Sequence, residues 1–100
     1  MPTAYVIGRM TIHSREWMDQ YFAEVSTLIE SYGGKFVVRG GDPQTLEGAE
    51  ALPDAAFVLE FPSREQATAF WNSPEFKPLI RLRQTGSHLE AMLVDGELPT

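Results

Sequence analysis

The sequence contains no cysteine. That excludes disulfides, thiolate nucleophiles and cysteine-ligated zinc or iron–sulfur centres. Basic residues are scarce: Lys and Arg total 8 against 14 Asp and Glu, a net charge of −6. Non-specific nucleic-acid affinity comes from clustered Lys and Arg, so no nucleic-acid partner is expected. The nearest basic cluster, Lys77, Arg81 and Arg83, is too small to alter that. No apolar run approaches the roughly 20 residues that span a bilayer, so no membrane partner is expected either. Met1-Pro2-Thr3-Ala4-Tyr5 has neither a basic region nor an apolar h-region, so it does not read as a secretory signal, and the expected location is cytoplasmic. The two histidines, His13 and His88, stand alone and read as strand-edge residues. With no ligand at helical spacing from His88, no metal and no cofactor is expected.

What is present fits one domain over residues 1–100. Ala4 to Ile12 reads as a strand with apolar groups on both alternating faces: Tyr5 and Ile7 on one, Val6, Met10 and Ile12 on the other. Ser14 is the expected N-cap of a long helix, with Glu16 in its first turn. Trp17, Met18, Tyr21, Phe22, Val25, Leu28, Ile29 and Tyr32 recur at spacings of three and four, a wide amphipathic stripe. Gly33 or Gly34 ends that helix. Lys35 to Arg39 is a second strand, turned out by Gly40-Gly41-Asp42-Pro43 into a loop that carries Glu47 and reaches Pro53.

Ala55 to Phe61 is a third strand with one charge, Glu60, among apolar neighbours. Ser63 and Gln66 have the spacing of a capping box and open a second helix, with Ala67, Phe70 and Trp71 on its buried side. Ser73-Pro74-Glu75 looks like another start. Pro78 lacks the N–H of a helix interior, which predicts a single turn and then a short helix from about Pro78 to Gln84. His88 to Val94 is the last strand, and Glu97 to Thr100 is expected to be loose.

The order β-α-β-β-α-β predicts an α+β, ferredoxin-like fold: four antiparallel strands with the helices on one face. Strands apolar on both sides would leave the other face bare. The economical solution is a homodimer packed sheet on sheet through an isologous contact.

Several short motifs then fall in a recognisable order. They are Tyr21, Tyr32-Gly33-Gly34-Lys35-Phe36-Val37-Val38-Arg39-Gly40-Gly41, Leu46-Glu47-Gly48, Val58-Leu59-Glu60-Phe61-Pro62-Ser63, and Ala67 with Phe70-Trp71-Asn72-Ser73-Pro74-Glu75-Phe76 and Arg81. Over nearly its whole length the chain resembles the DUF1330 family, whose pattern runs Y-G-G-x-(Y/F)-x-x-R-G-G, E-G, E-F-P-S and W/Y-x-S-P-E-(Y/F). The resemblance implies a dimeric α+β barrel of ferredoxin-like subunits and no established activity. Ser14 stands where the family often has Asp, Trp71 where Tyr is usual, and Phe76, which lacks a hydroxyl, where Tyr is common.

Arg39, at a strand end among apolar residues, can bind a carboxylate or phosphate bidentately, or can pair with Glu47 or Glu60 and hold the long loop to the sheet. Glu60 in a cleft would have a raised pKa suited to general-base work; outside one it would pair with Arg39 or Arg9. Glu47 is a similar but less confined candidate. Tyr21, Trp17 and Trp71 would line a pocket between helices and sheet for a flat organic ligand, or simply pack the core. The paired glycines make no phosphate loop, because the order of strand and helix around them is reversed. No Ser/His/Asp arrangement is present at a nucleophile elbow. Two functions stay open: a protein, enzyme or binder, for a small acidic or aromatic molecule, and a non-catalytic dimeric module whose charges are structural.

Overall fold

A computed structural model describes residues 3–97. Strand β1 (Ala4–Ile12) leads to helix α1 (Met18–Ser31), then to strands β2 (Lys35–Gly41) and β3 (Ala55–Phe61). Helices α2 (Arg64–Trp71) and α3 (Phe76–Gln84) follow, and strand β4 (Ser87–Asp95) closes the chain. The strands form one antiparallel sheet in the order β2-β3-β1-β4. This is the ferredoxin-like α+β architecture, with two helices rather than one in the second crossover. The expectation of a loose tail from Glu97 to Thr100 falls mostly on residues outside the described ones.

The core lies between helices and sheet. Val6 and Met10 of β1 and Leu59 and Phe61 of β3 meet Val25 and Ile29 of α1 and Ala67 and Phe70 of α2, all buried. Period-two alternation puts every second strand residue on that side. On the opposite face, register aligns an apolar row across all four strands: Val38 with Val58, Val58 with Ile7, Ile7 with Met92. No element among the described residues covers this row, and Met92 is 59% exposed.

Ser63 caps α2 as the spacing predicts, its Oγ accepting the Gln66 N–H at 3.2 Å. Gln66 Nε2 also donates to the Tyr32 carbonyl at 3.2 Å, tying the start of α2 to the end of α1. Gly33, at φ 80°, supplies the left-handed residue that ends α1.

Two boundaries differ from expectation. Ser14 does not cap α1, which begins at Met18 and carries Asp19, not Glu16, in its first turn. The indole of Trp17 is buried, and its Nε1 donates to the Ser14 carbonyl at 2.7 Å; the Gly86 carbonyl takes the N–H groups of His13 and Ser14. Burying that ring folds the segment before α1 into a turn, which removes Ser14 from the capping position. In the second case α3 starts at Phe76, ahead of Pro78. Pro78 is the third residue of the helix, where an N–H has no intrahelical acceptor and its absence costs nothing.

Candidate functional site

A cavity of about 260 Å³ lies under α1, walled by Tyr21, Phe22 and Val25 of α1, Phe36 and Arg39 of β2, and Phe57 of β3. Its buried end is closed by Phe70 and Phe76, and its exposed lining residues Arg15, Arg39 and Asp54 mark the mouth. The volume lies just below the roughly 300–1,000 Å³ of most ligand pockets and suits a molecule of one or two rings. Two roomier hollows, of about 540 Å³ along α1 and α3 and about 440 Å³ beside Trp71, Arg83 and Leu93, are shallower and more open to solvent.

Arg39 reaches this cavity because of a backbone irregularity. Strict alternation would put Phe36 and Arg39, three residues apart, on opposite faces of the sheet. The register shifts between Phe36 and Val38, a bulge at Val37, so Phe36 pairs with Leu59 and Arg39 with Phe57. Both side chains then share the helix-facing side. The Arg39 guanidinium carbon lies 4.1 Å from the Phe22 ring centroid and 5.1 Å from that of Phe36. Among the described residues no carboxylate lies within salt-bridge distance of it.

The ion pairs expected of Arg39 are therefore absent. Glu60 sits between buried Leu59 and Phe61 and so points to the opposite face, away from the cavity. There it takes a salt bridge from Lys35 at 3.2 Å and the hydroxyl hydrogen bond of Tyr5 at 3.0 Å. The Lys35 hydrogen bond and then that of Tyr5 hold the Glu60 carboxyl below the usual range, the reverse of a poised base. The same bond to Glu60, with burial second, pushes the Tyr5 phenol up. Glu47 is exposed on the β2–β3 loop, outside the cavity lining. That loop is held by Arg9, which bonds Glu50 at 3.1 Å and the Ala51 carbonyl at 2.9 Å. Asp54 fixes the loop's far end, accepting the Ile12 N–H at 2.7 Å.

Of the three aromatic candidates, Tyr21 and Trp71 line the cavity and Trp17 does not. Trp17 packs edge-on against Tyr21 with ring centroids 5.3 Å apart and is a core residue. Phe22, Phe36 and Arg83 join the site without being candidates on sequence. Arg83 is 4% exposed, and its Nη1 donates to the Tyr21 hydroxyl at 3.1 Å. Burial raises the Tyr21 phenol pKa, and the neighbouring Arg83 cation pulls it partly back. Its signal was available: Phe76, Leu79 and Arg83 recur at helical spacing, which puts an arginine on the apolar stripe of α3. Among the described residues no group of three His, Asp or Glu is placed to hold a metal ion. No helix there is long and apolar enough to cross a membrane.

Gly8 shapes the cavity from the sheet side. A Cβ there would lie 2.1 Å from Cε2 of Phe57, its cross-strand partner. Gly8→Ala is therefore expected to push the Phe57 ring into the cavity and to cost about 1–3 kcal/mol through overpacking. At Gly40 the nearest atom would be 3.5 Å away, so Gly40→Ala should unfold close to wild type in urea. Equal midpoints for the two variants would refute the packing argument.

The fold recurs in solved structures at low sequence identity. A protein of unknown function from Rhodopseudomonas palustris superposes with a TM-score of 0.80 at 17% identity, over 98% of this chain and 85% of that one. A dimeric ferredoxin-like protein of unknown function from Jannaschia gives 0.67 at 16%, over 96% and 99%. SnoaB from Streptomyces nogalater, a cofactor-independent oxygenase, gives 0.66 at 16%, over 99% and 97%. No curated protein matches the chain. Residues 3–97 match the model of a domain of unknown function, and the chain belongs to that family, DUF1330.

Proposed function

We propose that the protein is a homodimer in which each subunit binds a small planar organic anion in the cavity under α1. The observation that carries the ligand reading is Arg39. A guanidinium stacked on Phe22 and Phe36 at a cavity mouth, with no carboxylate partner among the described residues, is arranged to take a carboxylate from outside. Tyr21, Phe57 and Trp71 supply aromatic walls for the ligand's body.

The dimer reading rests on the uncovered row Val38, Val58, Ile7 and Met92, which a second copy would bury by two-fold symmetry. The Jannaschia structure is of a dimeric protein with this fold. The likeness to SnoaB is one of fold and assigns no reaction here. Glu60 faces away from the cavity, Glu47 lies outside its lining, and Asp54, the acid in its lining, is engaged by the Ile12 N–H. Binding is thus better supported than proton transfer.

Aromatic carboxylates such as 2-naphthoate should raise the Tm of wild type by mass action and leave that of Arg39→Ala unchanged. Sedimentation at micromolar concentration should give twice the mass of the chain. If no carboxylate stabilises the wild type, the charges are structural and the protein is a non-catalytic module. A monomeric mass would remove the dimer.

A further inference from the structure

Arg83 is the group in this molecule whose position the fold alone does not explain. Arginine keeps its charge under all ordinary conditions, and a buried cation normally has an anion beside it. Arg83 has none within salt-bridge distance among the described residues, and its Nε is buried without any hydrogen-bond partner. Its guanidinium carbon lies 5.8 Å from the Tyr21 ring, 5.9 Å from that of Trp71 and 5.8 Å from that of Phe76. All three rings line the cavity, so the charge sits one side chain behind the cavity wall.

The bond from Arg83 to Tyr21 also has a direction. Arginine can only donate, so the Tyr21 oxygen accepts and its own hydrogen remains free. No acceptor for that hydrogen is found among the described residues. A phenol at a cavity wall, with a free O–H and a cation behind it, is a donor available to developing negative charge.

We propose that Tyr21 and Arg83 form an oxyanion-binding end to the cavity: Tyr21 donates its O–H to the oxygen of a phenolate or enolate, and Arg83 acts through Tyr21 as a positioning residue whose charge favours that ionised form. This deepens the reading of the cavity as an organic-anion site and rests on it. Arg39 at the mouth takes a carboxylate, while the inner end selects a ligand with a second, acidic oxygen. The ligand class is therefore a planar hydroxy- or oxo-acid.

The test uses the intact protein and 4-nitrophenol, whose phenolate is read by its visible absorbance. Bound to wild type, it should ionise about one pH unit below the free phenol, a roughly tenfold preference for the phenolate. The shift should vanish in Tyr21→Phe, shrink in Arg83→Met, and survive in Arg83→Lys, which keeps the charge. Should Arg83→Met fail to fold, Tyr21→Phe and Arg83→Lys still decide the matter. An unshifted phenol in wild type, or a shift unchanged in the Tyr21 and Arg83→Met variants, overturns the proposal. So does failure to bind 4-nitrophenol while 2-naphthoate still binds in an Arg39-dependent manner, and in each of these cases the cavity reading stands. If neither probe binds, the cavity reading falls and this inference with it.

Discussion

Phe70→Ala is expected to destabilise the protein by about 3–5 kcal/mol, the usual cost of emptying a large aromatic site in a core. Phe70 is fully buried and packs on four rings: Phe76 at 4.4 Å between centroids, Phe61 at 5.5 Å, Tyr32 at 6.1 Å and Trp71 at 6.3 Å. These rings come from β3, α3, the end of α1 and α2 itself, so the deletion loosens every layer at once. Total stability is expected to be about 5–15 kcal/mol, which makes this a large fraction of it. For a domain of this size the fall in Tm is on the order of 20 °C. Phe57→Ala should cost clearly less, because Phe57 is half-buried and one side of it faces the cavity. Equal losses by chemical denaturation would mean that the core is not centred on Phe70.

That core was legible in the sequence because its signals are local. The stripe from Tyr21 to Ile29 and the alternation from Ala4 to Met10 each state a period, and the period states which side is buried. Ser63 and Gln66 state a helix start for the same reason, since capping needs only neighbours. Ser14 misled because the residues after it form a turn, so the helix starts four residues later at Met18. In that turn the Met18 N–H bonds the Arg15 carbonyl and the buried Trp17 indole bonds that of Ser14. The direction of Glu60 follows from alternation alone, given Leu59 and Phe61 on either side of it. Its partner does not: Lys35 rather than Arg39 stands opposite because of the register set across β2 and β3.

The candidate site was harder to read, for a physical reason. Two of its charged groups are placed by features that a one-dimensional pattern does not hold. Arg39 enters the cavity through the bulge at Val37, and a one-residue slip reverses every side chain beyond it. Arg83 and Tyr21 are 62 positions apart and meet because α1 packs against α3. The fold is written in periodicities, whereas the site is written in one irregularity and one long-range contact.

The buried cation makes a second strong prediction, on stability alone. Removing an ion from water costs several kcal/mol even after relaxation. Three aromatic rings near 6 Å stand at the outer limit of cation–π attraction, where each is worth well under the roughly 2 kcal/mol of a close desolvated pair. One hydrogen bond from the Arg83 cation to Tyr21 adds about 1.5–3 kcal/mol. These gains do not cover the cost, so Arg83 is held at a loss to the folded state. Arg83→Met fills similar volume without charge but leaves the Tyr21 hydroxyl without its donor, an offsetting cost of about 1–3 kcal/mol. Tyr21→Phe alone strips Arg83 of its one side-chain partner and is expected to be the least stable of the set. The double variant Arg83→Met/Tyr21→Phe removes both polar groups together, and it should exceed wild type by about 1–4 kcal/mol, as replacement of buried ionic groups by apolar ones often does. A complete double-mutant cycle in urea would measure this, with a positive coupling between the two changes. If the double variant is less stable than wild type, the three rings and the phenol do support Arg83, and its place in the core is structural. If it is more stable yet no longer shifts the ionisation of a bound phenol, stability has been given up for the site, as is common where function requires a charge that the fold does not.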